Sequence, residues 1–202
     1  MNGVRDPTGH MQPGDAAPLF DATSVTGESV RLADCLEQPV WLAFFRFASC
    51  PLCNFRVHQL MAGWSRRFAH RRFRMIGVFQ SPREKLDAYV MRHRPGFAVV
   101  ADPAMGLYQL YGVEASLQKA FAGEVFKSLV GAVRVGLPIV RSHDGPAFRI
   151  PADFLIEPGG TIHTAFYGRN MADHIPFETV ESWLDGAPGS TSPAGGTEKN
   201  CG

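Results

Sequence analysis

From Val40 to Phe47 the chain is almost continuously apolar, broken only by Arg46, as a strand covered on both faces should be. Beyond Cys53 the pattern changes period: Cys53, Val57, Met61, Trp64 and Phe68 recur at helical spacing, while Asn54, His58, Gln59 and Arg66 fall mostly elsewhere. A buried strand therefore runs directly into an amphipathic helix, with Pro51 suited to the helix's first position. This periodicity predicts Cys53 toward the core and Cys50 toward solvent.

Further apolar runs, Phe73 to Phe79 and Phe97 to Val100, flank a helical stretch that opens at Ser81-Pro82 and ends near Arg94-Pro95-Gly96. Strand, helix, strand, helix, strand in that order predicts a mostly parallel α/β sheet. Upstream, Phe20 to Val25 and Val30 to Leu32 enclose Thr26-Gly27-Glu28, which predicts a hairpin added to the sheet. Downstream, a short helix is expected over about 104 to 111 and a longer one from Ser116 to Val135. Apolar on many sides yet interrupted by Lys119, Glu124, Lys127 and Arg134, the longer one reads as core packing, a lid, or a subunit interface of a homodimer. Asp153 to Glu157, the turn Pro158-Gly159-Gly160 and Thr161 to Tyr167 predict an antiparallel pair, and Pro176 to Leu184 a closing helix.

The chain of 202 residues is 45% apolar, enough for one domain with a sizeable core. Residues 14–185 are expected to form it, with residues 1–13 and the Gly-, Pro-, Ser- and Thr-rich 186–202 disordered. Gly9-His10-Met11 carries no functional expectation. Twenty Lys and Arg against 19 Asp and Glu leave a formal charge of +1, so no overall field attracts nucleic acid or an anionic membrane. The basic cluster Arg66, Arg67, His70, Arg71, Arg72 and Arg74 reads as solvated surface at a helix end. With no signal-peptide core near the start and no run able to span a bilayer, a cytoplasmic address is expected.

In a reducing compartment four cysteines are no disulfide framework, and the close pair Cys50-Pro51-Leu52-Cys53 is a redox site before it is anything else. Three apart at a helix start, the two share one turn and can close a small disulfide with little backbone movement. The helix N-terminus directs unpaired N–H groups at Cys50 and lowers its pKa, and Arg46 or His58 would add charge. Cys35 reads as a small apolar filler and Cys201, in the tail, as incidental. Each histidine, His58 and His174 included, reads as a surface or packing residue.

Three segments, Gly14 to Phe20, Phe44 to Cys53 and Pro151 to Gly160, resemble the peroxiredoxin-like members of the alkyl hydroperoxide reductase/thiol-specific antioxidant superfamily, nearest to the subgroup that includes selenoprotein L. The resemblance spans about Gly14 to Leu184, with the long helix where this subgroup has its insertion. It implies a thioredoxin-like three-layer α/β sandwich with an N-terminal β-hairpin and a helical insertion. Cys50 would be the attacking residue, Cys53 its partner, and Pro151 the cis-proline facing the site. True peroxiredoxins carry a proline seven positions before the attacking cysteine and a threonine or serine three before it, where this chain has Ala43 and Phe47. Pro151 also occupies about the place of the family's later arginine, leaving Arg46 and Arg149 as substitutes.

The expected function is thus thiol-dependent oxidoreduction through a Cys50/Cys53 dithiol–disulfide couple, with a peroxide or a disulfide as substrate. A thioredoxin-like or glutathione-dependent donor would restore the dithiol, and no bound cofactor is required. The alternative is a non-enzymatic redox sensor, or a protein binding copper, zinc or another soft metal through the same cysteines with His174 or Asp173.

Overall fold

The computed structural model describes residues 9–113, 130, 133–135, 149–188 and 190. Five strands form the main sheet: β3 (Val40–Phe44), β4 (Arg74–Phe79), β5 (Ala98–Ala101), β6 (Ala152–Ile156) and β7 (Ile162–Tyr167), in the order β5-β4-β3-β6-β7. As the alternation of strands and helices predicts, β3, β4 and β5 are mutually parallel, whereas β6 and β7 complete the sheet in antiparallel fashion. The turn joining β6 to β7 passes through Gly159 and Gly160 at φ of 88° and 93°, left-handed values that favour glycine.

Every residue of β3 is buried, and its side chains alternate between two cores. Trp41, Ala43 and Phe45 face the helices α2 (Pro51–Arg67), α3 (Arg83–Tyr89) and α5 (Phe177–Gly186), whereas Val40, Leu42 and Phe44 face α1 (Leu32–Cys35) and α4 (Gly106–Leu110). The result is the three-layer thioredoxin-like sandwich. Gly77 of β4 is a packing requirement: a Cβ there would lie 2.8 Å from the Phe97 ring and 3.3 Å from that of Phe45. With no side chain in the way, Phe45 stacks on Phe79 at 4.5 Å between centroids and 2° between planes.

Several expectations need correcting. The hairpin, β1 (Asp21–Thr23) and β2 (Ser29–Arg31), makes its own two-stranded sheet and touches the main one through a single bridge, Ser24 to Val100 at the β5 edge. Leu32, read as strand, begins α1. Described residues on either side of 14–185 also make contacts with the fold. His10 stacks on Tyr167 at 3.9 Å, the Met11 N–H donates to the Tyr167 hydroxyl at 2.8 Å, and the Met11 side chain is buried against the β-sheet core. At the other end Ser190 is buried, its carbonyl accepting the Arg72 N–H at 2.7 Å. Most of the expected helix over 116–135 lies outside the described residues, among which Val130, Val133 and Arg134 are helical; Cys201 lies outside them too.

The basic cluster is only partly solvated surface. Arg67 pairs with Glu178 and Glu181, and Arg71 with Asp185, so the end of α2 is tied to α5. Among the described residues no helix is long and apolar enough to cross a membrane.

Candidate active site

Strand β3 ends at Phe44, and the loop Phe45 to Ser49 carries the chain to the start of α2. Two contacts from the far side of β4 hold this loop: the Gln80 N–H donates to the Arg46 carbonyl at 3.2 Å, and the Ala48 N–H to Ser81 Oγ at 2.7 Å. Cys50 is the residue before the first helical turn, extended at φ −67° and ψ 120°, and Pro51 is the first helical residue.

Cys50 is 1% exposed, which corrects the expectation of a solvent-facing thiol. Helical periodicity puts it off the apolar face of α2, but it belongs to the same buried cluster as Phe47, Ala48 and Cys53, with the Arg46 side chain on its sulfur. Cys53, 2% exposed, faces the core as expected, and both thiols are free.

Arg46 holds both sulfurs. Its guanidinium Nη1 donates to Cys50 Sγ at 3.0 Å, and its main-chain N–H donates to Cys53 Sγ at 3.4 Å. The guanidinium also lies over the Phe47 ring, 4.9 Å from its centroid. Burial alone would push the Cys50 thiol up. The Cys53 thiol donating to its sulfur, the Arg46 charge, and the N–H groups of Cys53 and Leu52 outweigh it and bring the pKa from 9.0 to about 6. Cys53 moves well above the usual thiol range through burial, through its hydrogen bond to Cys50 and through the neighbouring charge. At neutral pH the site therefore pairs a Cys50 thiolate with a Cys53 thiol.

Beside it, Asn54 is buried although its position on the helix suggested otherwise. Its amide nitrogen donates to the carbonyls of Ala48 at 2.6 Å and Cys50 at 2.9 Å, and its Oδ1 meets His93 Nε2 at 3.2 Å. An asparagine one turn after a residue that caps a helix was the available signal, since it reaches that residue's carbonyl.

Other candidates are placed elsewhere. His58 faces the His93 ring at 6.2 Å rather than supplying charge to the thiolate. Arg149 lies across Tyr108 and donates to the Val113 carbonyl at 2.6 Å, so of the two candidate arginines Arg46 is the one on the sulfur. His174 binds the fully buried Asp153 at 3.0 Å and packs on the Phe45 ring at 4.8 Å. Asp173 binds Arg169, and Cys35 is buried filler between α1 and the sheet, as expected. Among the described residues no group of three or more His, Cys, Asp or Glu side chains could hold a metal ion, so neither His174 nor Asp173 joins the dithiol as ligand.

No cis peptide bond occurs among the described residues, so Pro151 is not the cis-proline that the resemblance implied. The trans form is the intrinsic preference of the bond. Here Pro151 leads into β6 while its carbonyl accepts the Gly168 N–H at 2.9 Å. Because Ala152 is in register with Phe44, Pro151 sits at the redox-loop end of β6.

A low-pKa cysteine at the start of a helix that follows the central strand of a mixed sheet, with a second cysteine one turn on, defines a thiol-chemistry protein of thioredoxin-like fold. Residues 13–165 match the AhpC/TSA family, and the chain belongs to it. The fold is shared with peroxidoxin BcpB from Mycobacterium tuberculosis at a TM-score of 0.63 and 18% identity, over 88% of this chain and 98% of that one. It is similar, too, to a putative thiol:disulfide interchange protein DsbE from Chlorobium tepidum, at a TM-score of 0.55 and 21% identity over 87% and 97% of the two chains. Yeast mitochondrial 1-Cys peroxiredoxin matches at a TM-score of 0.60 and 17% identity, over 87% and 75%. No curated protein matches the chain. Family and fold together make it a thiol oxidoreductase in the broad sense.

Proposed function

We propose that the chain reduces small peroxides, with Cys50 as the nucleophile and Cys53 as the resolving thiol. The observation that carries this reading is the 3.0 Å contact of Arg46 Nη1 with a Cys50 sulfur that is almost wholly buried yet ionised near neutral pH. A peroxide needs little room, whereas a protein disulfide must bring a line of three sulfurs to the attacking atom. Burial thus favours the small substrate.

In the first step the Cys50 thiolate attacks the peroxide's terminal oxygen, the O–O bond breaks, and the leaving alkoxide takes a proton to become an alcohol or water. Arg46 supplies the local positive charge for that transfer. Cys50 is then a sulfenic acid, two electrons oxidised. The Cys53 sulfur attacks it, forming the Cys50–Cys53 disulfide, and the Cys53 proton leaves with the displaced hydroxide as water. A thioredoxin-like or glutathione-dependent donor returns two electrons and two protons in a reducing compartment such as the cytoplasm. Pro151 would fix the end of β6 beside the loop.

A test mixes reduced protein with substoichiometric hydrogen peroxide and follows Trp41 and Trp64 fluorescence, with mass spectrometry to locate the disulfide. The expected result is oxidation far faster than free cysteine, ending in Cys50–Cys53, abolished in Cys50→Ser and halted at a trappable sulfenic acid in Cys53→Ser. Oxidation no faster than free cysteine would overturn the peroxidase reading. Disulfide exchange, which the Cys53 thiol hydrogen-bonded to Cys50 also serves, would then take its place.

A further inference from the structure

His93 sits in a single 3-10 turn (Met91–His93), on a different segment from the dithiol, and nothing in the motif points to it. Its ring is half-buried, yet one of its nitrogens reaches the buried side chain immediately following Cys53. Asn54 has two carbonyls, Ala48 and Cys50, on one end of its amide, which fixes the nitrogen there and leaves Oδ1 facing His93. An oxygen can only accept, so His93 Nε2 donates. Each polar atom of the Asn54 amide is then used, and the chain His93, Asn54, then Ala48 and Cys50 has one consistent direction.

We propose that His93 is a positioning residue for Cys50, acting through Asn54 to hold the Ala48-Ser49-Cys50 turn in the geometry that keeps the sulfur on Arg46. The inference rests on Cys50 being the nucleophile. The turn is also tied by the Ala48 N–H on Ser81, by the Cys50 N–H on the Phe47 carbonyl at 3.0 Å, and by the Cys50 carbonyl accepting the Asn54 main-chain N–H at 3.0 Å. Among the described residues, the Ala48 carbonyl takes its hydrogen bond from the Asn54 side chain. If the Asn54 amide turns, that carbonyl loses its donor in a buried place, and the segment carrying Cys50 has reason to shift.

The link is steady over the pH range in which Cys50 titrates. Burial, with Arg92 and His58 nearby, holds His93 at a pKa of about 4, so it is neutral there and its Nε2–H remains a donor. The groups acting on Cys50 itself are Arg46, Cys53 and the Leu52 N–H, and His93 is not among them. A change in Cys50 titration after a change at His93 must therefore pass through the turn rather than through lost charge.

The experiment measures the rate of Cys50 alkylation by iodoacetamide against pH in the full-length reduced protein, with peptide mass spectrometry identifying the modified cysteine. His93→Phe, which keeps a ring but loses the donor, should move the inflection upward by about one unit as the thiolate loses its hydrogen bonds. His93→Gln, which restores a donor, should return it toward the native value. In an Asn54→Ala background His93→Phe should add nothing further. An unchanged inflection in a His93→Phe protein that melts like the native one would overturn the inference, as would an equal shift in the Asn54→Ala background. If Cys53 rather than Cys50 is alkylated first in the native protein, it is the assignment of the nucleophile that fails.

Discussion

The Tyr108 hydroxyl lies 2.6 Å from the Phe45 carbonyl, reaching it from the face of the sheet opposite α2. Tyr108 stands on α4, edge-on to Phe44 at 5.1 Å, and the N-terminus of α4 is capped by Asp102, whose carboxylate accepts the N–H groups of Gly106, Leu107 and Tyr108. The same hydroxyl lies 3.1 Å from the Val78 carbonyl, which also accepts the Phe45 N–H. It thus closes the gap where β3 leaves β4 to become the redox loop.

Tyr108→Phe keeps the ring and leaves the Phe45 carbonyl without this donor. The expected cost is about 1–3 kcal/mol, the penalty for a buried polar group losing its partner. Urea denaturation of the reduced protein measures it, and a loss below about 0.5 kcal/mol would show that the hydroxyl is not needed there.

Arg46→Met removes the charge and the Nη1 donor from Cys50 while keeping much of the side chain's bulk. The Cys50 pKa should rise from about 6 toward the ordinary thiol value, and oxidation by hydrogen peroxide at pH 7 should slow by about tenfold or more. The decisive comparison is the rate at pH 9, where a purely ionisation-based defect shrinks. A defect of equal size at both pH values would instead place Arg46 on the peroxide oxygens.

Cys50 also makes the stability of the reduced protein pH-dependent. Its folded-state pKa, about 6, lies below the ordinary 9.0, so between these values the unfolded chain binds a proton that the folded one does not. Stability therefore rises with pH through this window and is lost as pH falls through 6, by about 2 kcal/mol between pH 6 and 8. Denaturant titrations under reducing conditions should show this slope in the native protein and not in Cys50→Ser.

Asp153 is a buried anion with four partners. Trp41 Nε1, His174 Nδ1 and the Ile175 N–H each donate to it at 3.0 Å, and Arg56 adds charge nearby. Burial would raise its pKa, but His174, Arg56 and the Ile175 N–H hold it below the ordinary carboxylate value. Its contribution is present above the unfolded pKa and lost as acid protonates the folded form. Asp153→Ala should destabilise by about 3–5 kcal/mol, the cost of uncovering buried partners, read as a fall in melting temperature at pH 7. A melting temperature within a degree or two of the native one would show the cluster to be dispensable.

The succession of strands and helices and the parallel pairing were legible because β3, β4 and β5 are buried runs separated by helical periodicity, a signal carried by neighbouring residues. The dithiol was legible for the same reason: its spacing and its junction are local. Cys50's burial was not, because it depends on the Phe45–Ser49 loop and the Arg46 side chain on the sulfur, contacts that no period encodes. Tyr108 and His93 escaped for a related cause, since Tyr108 reaches a loop carbonyl and His93 reaches Asn54 from other elements. Asp153 carried a visible warning, a lone charge in the apolar strand Ala152–Ile156, which marks a position that must find partners inside.

The Cys50 thiolate has a consequence for the direction of electron flow. Whatever stabilises the anion stabilises the dithiol and not the disulfide, since only the reduced form carries that charge. In the proposed Cys50–Cys53 couple, Arg46 and the first turn of α2 would therefore raise the reduction potential and make the oxidised form a ready acceptor of electrons from mild thiol donors. On that reading the resting state at equilibrium with such donors would be the armed one, and each oxidation would leave the protein in the form from which recovery is downhill.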